Sequence, residues 1–393
     1  MNLQEFQSKM LLVRYGTDVP KGHPALTADD AQAAARSLGV ERYAVKAQVP
    51  AGGRGRSKGV VLVSSPEEAG AAARGLLGET LVTEQTGPAG YLVRQVLVEE
   101  AIEANRSLYL AVLVDTARAE IVILAGPEGS EDIEDKLQSG ETRIERLALA
   151  PGGALNETDV KALAQRLGLD AKLHSSFARL LGQLRTAFME NDATLIELNP
   201  LAITAAGTFV ALDAKIVIDD NALFRHPDLM ALRDDWEDDG VEIAAQSHQL
   251  NYVRMDGDIG VVVNGAGLGL ATLDMIRAAN GRPANFMDIR TTATSIDVAH
   301  GFTLLLDNPA VRSILVNVHG GGMQPCDIIA DGLGIAMRRT GKARPTVVRL
   351  AGNNAEYARF RFQNFGCKVI DCPDMKEAVT RAVDEASARG ESR

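Results

Sequence analysis

The stretch Ile259-Gly260-Val261-Val262-Val263-Asn264-Gly265-Ala266-Gly267-Leu268-Gly269 decides the fold of the second half of the chain. An apolar, largely β-branched run is broken by Asn264 and Gly265, and a helical stretch follows. A run without polar alternation suits a strand buried on both faces, as in a parallel sheet. A glycine turn then delivers the first N–H groups of a helix to the strand's carboxyl end. The same pattern recurs downstream. Asn285–Ile289 reads as a second strand. Ile314–Val318 reads as a third, followed by Gly320-Gly321-Gly322 and a helix from about Cys326. Thr346–Leu350 is a fourth, with a helix after Gly352, and Val369-Ile370 is a fifth. The closing helix places Met375, Ala378, Val379, Ala382, Val383 and Ala386 on one face. Strands alternating with helices predict a parallel sheet covered on both sides, with ligands at the carboxyl ends of its strands.

Residues 233–240, Arg-Asp-Asp-Trp-Glu-Asp-Asp-Gly, read as an exposed acidic linker. This sets expected domains at 1–238 and 239–393. The first domain reads as α+β. Asn2 with Glu5 is expected to start a helix, with Leu3, Phe6, Met10 and Val13 at helical spacing. Thr27 with Asp30 starts a second helix that Gly39 can end. Ser65, Pro66 and Glu68 start a third, closed by Gly78. Strand-type runs lie at Tyr43–Lys46, Val60–Val63, Gln95–Val98, Leu108–Val114, Ile121–Leu124 and Thr208–Asp213.

A length of 393 residues allows two or three domains. The 52 acidic side chains exceed the 41 basic ones, for a net charge of −11. That balance argues against a broad surface for nucleic acid or anionic lipid, so any anion needs a local site. No apolar run reaches the roughly 18–20 residues that span a bilayer, and Met1–Phe6 shows no secretory signal. Three cysteines, Cys326, Cys367 and Cys372, make no disulfide framework and suit a reducing cytoplasm. They read as small buried residues rather than nucleophiles. No Cys/His group has zinc spacing.

Two segments carry candidate chemistry in the first domain. Lys46 ends a strand, and the cationic glycine-rich loop Gly52-Gly53-Arg54-Gly55-Arg56 follows. Glycine N–H groups and a lysine point charge suit phosphate, although the spacing is not that of a P-loop. A solvated basic turn is the alternative. Leu195-Ile196-Glu197-Leu198-Asn199-Pro200 and Ala211-Leu212-Asp213-Ala214-Lys215 place polar groups within apolar β runs. Such groups need partners or a metal when buried. Asn199 and Asp213 offer oxygen ligands for Mg²⁺, and a hydrogen-bonded strand pair is the alternative.

In the second domain the Asn264–Gly269 turn mimics a nicotinamide fingerprint, with Asp288 about where the ribose acid would fall. The spacing Gly-x-Gly-x-Gly is wrong for that. A carboxylate or phosphate at the helix N-terminus is the better reading. His319–Asp327 forms a second strand–glycine–helix junction of the same kind.

Together these segments resemble the β subunit of succinate–CoA ligase, and malate–CoA ligase β subunits are similar. The similarity runs almost end to end: Asn2–Gly16, Val45–Gly55, Val98-Glu99, Ile196–Pro200, Leu212-Asp213, Asn221–Arg225, Asn251-Tyr252, Val263–Leu268, Pro283–Phe286, Leu315–Asn317 and Cys326–Gly332. The resemblance implies an ATP-grasp domain with an inserted small lobe at 21–99, followed by a flavodoxin-like CoA-ligase domain. It implies that Lys46, Gly53, Arg54, Gly55, Glu99, Ile102 and Ser107 contact the nucleotide. That nucleotide is ATP, with GTP the alternative; Pro20 stands where the family separates the two. It implies that Asn199 and Asp213 carry Mg²⁺ and that Glu197 orients a phosphohistidine. That histidine belongs to a separate α subunit, which also binds most of the CoA. Asn264, Gly321, Gly322 and Met323 would bind the carboxylic acid.

Three departures from the family pattern stand out. Arg290-Thr291-Thr292-Ala293 replaces Gly-Gly-Gly-Ala. β-Branched residues cannot copy a glycine backbone at positive φ, but they bring new hydroxyl and guanidinium donors to the acid site. The loop Asn317–Asp327 is one residue longer than usual, has lost an arginine and has gained a proline. Ser107 stands where a glutamate is usual. The acid is therefore succinate, malate or another carboxylic acid. A non-catalytic nucleotide-binding paralogue and a stand-alone ATP-grasp ligase are the competing readings.

Overall fold

In a computed structural model, the chain is described except for residues 51, 84–85, 87–89, 131, 150–154, 234–239, 322–323, 366–367 and 389–393. The expected linker, Gly322, Met323 and Cys367 thus lie wholly or mostly outside the described residues. The chain divides into two compact units, 1–237 and 238–393.

In unit 1 the elements run β1 (Asn2–Leu3), α1 (Glu5–Arg14), β2 (Gly22–Ala25), α2 (Ala28–Leu38), β3 (Tyr43–Ala47), β4 (Val60–Val63) and α3 (Pro66–Leu76). Then come β5 (Thr80–Leu81), β6 (Tyr91–Leu92), β7 (Val96–Glu100), β8 (Arg106–Asp115), β9 (Glu120–Gly126), α4 (Ile133–Ser139) and β10 (Glu145–Leu149). Last are α5 (Glu157–Arg166), α6 (His174–Glu190), β11 (Ala193–Ile203), β12 (Phe209–Ala211), β13 (Ala214–Ile218) and α7 (Pro227–Met230).

The N-caps read from sequence for α2 and α3 and the Gly39 end of α2 are present, whereas α3 ends at Leu76 with an extended Leu77 as its C-cap, ahead of the expected Gly78. Thr27 accepts the Asp30 N–H, Gly39 sits at φ +61°, and Ser65 accepts the Glu68 N–H. These helices cover the four-stranded sheet β2-β7-β3-β4, and their alanines pack with Val45 and Val98 into the small lobe's own core. The larger lobe is a seven-stranded sheet, β1-β13-β11-β8-β9-β10 with β12 on β11, backed by α5 and α6. Phe177, Leu181, Ile196 and Ile216 lie at the centre of its core.

The N-terminus corrects two expectations. Asn2-Leu3 is a short strand on β13, and Gln4, not Asn2, is the N-cap of α1, its N–H donating to Gln7 Oε1 at 2.9 Å. Met10 and Val13 are 52% and 54% exposed, while Glu5 and Lys9 are buried. The inward face of α1 turns Glu5 and Lys9 to a charged cavity and Leu11 and Leu12 to the apolar core, so the expected apolar period misplaces its buried face.

In unit 2, α8 (Gly240–Ser247) and β14 (Leu250–Arg254) precede β15 (Ile259–Val263), α9 (Ala266–Ala278), β16 (Asn285–Ile289) and α10 (Ser295–Asp307). There follow β17 (Ser313–Gly320), α11 (Cys326–Thr340), β18 (Thr346–Gly352), α12 (Ala355–Gln363), β19 (Val369–Asp371) and α13 (Met375–Ala388). The sheet order is β14-β16-β15-β17-β18-β19. All pairs are parallel except β14–β16, an antiparallel edge absent from the sequence reading. Two cores flank the sheet, one under α10 and α11 around Phe302 and Ile314, the other under α9 and α13 around Val261 and Leu315. No helix among the described residues is long and apolar enough to cross a membrane.

Candidate functional site

Unit 1 contains a cavity of about 710 Å³. Strand β3 delivers Lys46 to it, the turn after β3 delivers Gly53 and Arg54, and the segment after β7 delivers Ile102. Strand β11 delivers Glu197 and Asn199, and the β12–β13 turn delivers Asp213. Eight of the residues picked out in sequence for this unit, spread over almost 170 positions, thus share one wall: Lys46, Gly53, Arg54, Glu99, Ile102, Glu197, Asn199 and Asp213. Gly55 lies in the same turn but not in that wall. Ser107 lies on β8 opposite Ala202, also outside it.

The charges in this cavity are paired. Glu5 reaches Lys9 at 2.7 Å, Lys46 at 2.9 Å and Arg54 at 2.8 Å. Glu99 reaches Lys9 and Lys46, each at 2.6 Å. Arg54 reaches Asp213 at 2.7 Å. Lys9 and Lys46 also donate to the Leu212 carbonyl oxygen, and Arg54 donates to the Ala47 carbonyl oxygen. Three carboxylates therefore match three cations, which is what burial of so many charges requires. Burial alone would raise the Glu5 pKa, but Lys46, Lys9 and Arg54 outweigh it and hold the carboxyl well below its usual range. Burial would lower the Lys46 pKa; Glu5, Glu99 and Asp213 reverse that and push it up. Arg54 is raised in the same way, burial being overcome by Asp213 and Glu5. Both candidate phosphate ligands stay cationic at any physiological pH.

Sequence reading missed Glu5 and Lys9. They sit on a helix with little apolar contrast, and their i,i+4 spacing looks like a surface pair. Only their partners on β3 and β7 reveal otherwise. Glu99 lines the cavity with its carboxylate buried on two lysines, Lys9 and Lys46.

The metal expectation can be tested on the oxygens present. The Asn199 amide donates to the Ser130 carbonyl oxygen at 3.2 Å, while its own Oδ1 is buried without a partner. Asp213 spends one oxygen on the Ala214 N–H and the other on Arg54. An orphaned amide oxygen beside a carboxylate fits a hard cation that takes one or two protein oxygens and completes its shell from phosphate. No cluster of three His, Cys, Asp or Glu suited to a metal occurs among the described residues.

In unit 2 the carboxyl ends of β15, β16 and β17 carry the remaining candidates. Gly265 starts α9 at φ +101°, a conformation only glycine adopts readily. Its N–H donates to Asp288 Oδ1 at 2.6 Å, and Asn251 donates to the other Asp288 oxygen at 3.2 Å. Asp288 is thus tied to the backbone at this helix start, which leaves it unlike a ribose ligand. Asn264 accepts the His319 N–H at 2.9 Å and donates to the His319 carbonyl at 2.7 Å, tying β15 to β17. Gly320 packs so close to Asn353 that a Cβ would lie 2.5 Å from its carbonyl oxygen. Arg290 donates twice to Asn251 Oδ1, and Thr292 donates to Gln249 Oε1. None of Arg290, Thr291 and Thr292 has positive φ, so this turn takes a path open to β-branched residues. Cys326 and Cys372 are buried, and burial raises both thiol pKa values, against a nucleophilic role.

The ATP-grasp domain family matches residues 2–203, and the CoA-ligase family matches residues 262–383. Among curated relatives, the succinate–CoA ligase (ADP-forming) β subunit of Acidiphilium cryptum is 44% identical over 98% of this chain and 100% of its own length. The corresponding subunit of Anaeromyxobacter dehalogenans is 42% identical over 99% and 100%. Among solved structures, ATP citrate lyase of Methanothrix soehngenii, in complex with citrate and coenzyme A, shares the fold. Its TM-score is 0.74 at 16% identity, covering 98% of this chain and 99% of that one. This chain belongs to the family of succinate–CoA ligase β subunits, an ATP-grasp domain followed by a CoA-ligase domain.

Proposed function

We propose that the chain is the nucleotide-binding β subunit of an acid–CoA ligase, acting with an α subunit that carries a phosphohistidine and binds most of the CoA. The reaction joins a carboxylic acid to CoA at the expense of ATP. The observation that carries this reading is the single cavity holding Lys46, Arg54, Glu197, Asn199 and Asp213. Phosphoryl transfer needs positioned charge more than a strong local base. The cavity supplies charge, and the described residues of this chain supply no activated nucleophile, which suits a phosphorylated group brought by a partner.

Lys46 and Arg54 bind the terminal phosphates. Glu99, Ile102 and the segment around them border the nucleoside, with Ser107 and Gly55 at its margin. Asn199 and Asp213 hold Mg²⁺, which neutralises phosphate charge when bound. Glu197 orients the partner's histidine. The phosphate passes to that histidine and then to the acid, and the CoA thiol displaces it from the acyl phosphate. Asn264 holds the β15 and β17 ends in register beside the acid, with residues 321–323 as its expected backbone cradle. Succinate is the acid suggested by the relatives; Arg290–Thr292 favour testing malate and other acids beside it.

The test is thioester formation by the chain co-purified with its α subunit, given ATP or GTP, Mg²⁺, CoA and a panel of acids. The chain alone should form none. Glu197→Gln should cut phosphorylation of the α subunit by at least about 100-fold while nucleotide still binds. Normal phosphorylation would remove the role given to Glu197, and thioester formation by the isolated chain would remove the partner.

A further inference from the structure

Gln324 lies between β17 and α11 and is only 2% exposed. With its amide nitrogen as donor, it reaches the carbonyl oxygens of Arg290 and Thr291, each at 3.2 Å. The opposite orientation would set an amide oxygen against two carbonyl oxygens, so electrostatics selects the donor orientation. The Gln324 carbonyl in turn accepts the Gly321 N–H at 3.2 Å. Segment 290–292 is fixed from its other side as well. The Arg290 N–H donates to the Gln249 carbonyl oxygen at 3.1 Å, and the Thr292 hydroxyl donates to the Gln249 side chain at 3.1 Å.

These bonds belong to a ring. The Arg290 Nε and Nη2 donate to Asn251 Oδ1 at 3.0 and 2.8 Å. Asn251 donates to Asp288, Asp288 accepts the Gly265 N–H, and Asn264 beside it is bonded to the His319 backbone. His319 leads through Gly320 and Gly321 back to Gln324. The ring encloses the carboxyl ends of β15, β16 and β17, where ligands of a parallel sheet bind. Its cation is Arg290, whose two bonds go to a neutral amide oxygen. Among the described residues Arg290 forms no ion pair, and the Asp288 carboxylate is joined to it only through Asn251. The ring therefore offers a guanidinium held in a fixed direction and open to an anion.

We propose that Gln324 is a positioning residue and Arg290 a specificity-determining residue for the acid. The Gln324 bridge keeps the rim closed, and the Arg290 cation so held favours an acid with a second carboxylate over a monocarboxylate of equal length. This rests on the ligase reading above. Discrimination of this kind is a difference between two substrates, so a change in the ratio tests it better than a change in rate.

The experiment measures kcat/KM for succinate and butyrate with the chain in complex with its α subunit. The natural chain should prefer succinate. Arg290→Gln should narrow the preference by about tenfold or more, through the KM for succinate with kcat nearly kept. Gln324→Ala should narrow it in the same direction. Arg290 is exposed, so its variant keeps the test valid if Gln324→Ala does not fold. An unchanged succinate-to-butyrate ratio in Arg290→Gln, or an equal fall for both acids in either variant, would overturn the proposal. So would a natural complex that uses both acids equally well, and in that case the ligase reading would stand. A complex that neither phosphorylates its α subunit nor forms any thioester would overturn the ligase reading and this inference with it.

Discussion

The cavity of unit 1 and the strand-end rim of unit 2 both gather charged and amide groups, and they are organised in opposite ways. In unit 1 the cations are caged. Lys46 and Arg54 already hold Glu5, Glu99 and Asp213, carboxylates that preset the cations' positions. In unit 2 most of the order comes from neutral groups: Asn264 on the His319 backbone, Asn251 on Asp288, Gln324 on two carbonyls. Buried ion pairs gain little net stability, but removing one partner is costly because the other charge stays buried. Amide-to-backbone bonds carry smaller stakes on both sides. The two units should therefore respond differently to substitution and to pH.

The largest effect is expected at Glu5. Glu5→Gln leaves Lys9, Lys46 and Arg54 facing one acid fewer, and should destabilise unit 1 by about 3–5 kcal/mol. Denaturant unfolding followed by probes placed in each unit measures this. An unmoved unit 1 transition would break the contrast between caged and neutral sites. The second effect is on pH dependence. The Glu5 carboxyl is depressed in the folded chain, so its contribution is complete above its ordinary value of 4.5 and is lost as pH falls through the folded value. Lys46 is raised, so its contribution is complete below 10.5 and is lost as pH rises through the folded value. Unit 1 should thus hold a plateau between these limits and weaken first on the acid side. A stability profile for Glu5→Gln with the same acid limb as the natural chain would remove Glu5 as its source.

A smaller loss is expected at Asn264. Asn264→Ala removes both bonds to the His319 backbone and should cost unit 2 about 1–3 kcal/mol, read from the unit 2 probe in the same titration. A loss as large as that at Glu5 would erase the distinction between the two sites. The smallest effect sharpens the comparison from outside it. Arg36 and Glu67 pair at 2.9 Å on the surface of the small lobe. Arg36→Ala should change stability by no more than about 1 kcal/mol, which would tie the Glu5 effect to burial rather than to ion pairing as such.

Much of the candidate site was legible in the sequence. Lys46, Glu197, Asn199 and Asp213 were picked out as polar or cationic residues at the ends of or within apolar β runs, Arg54 as part of a cationic glycine-rich loop, and the fold gathers them in one cavity. Glu5 and Lys9 were not legible, because a charged pair one helical turn apart reads the same on a surface as in a core. The bond at the α9 N-terminus was not legible for a related reason: sequence shows a helix start, but not that Asp288, 23 residues on, accepts the Gly265 N–H there.

What the sequence determined by itself was whatever depends on neighbours along the chain. The alternation of β-branched runs with glycine turns and helices set the parallel sheet of unit 2, and Thr27, Ser65 and Gly39 marked real helix ends. These features arise within a few residues, from hydrogen-bonding capacity and backbone freedom. Tertiary structure alone decided that α1 turns its charges inward, that Glu99 closes on two lysines, and that Gln324 bridges to Arg290 and Thr291. Each of those outcomes depends on a partner brought close by the fold from a distant part of the chain. A residue's chemistry limits what it can bind, and only the packed structure settles which of the possible partners it meets.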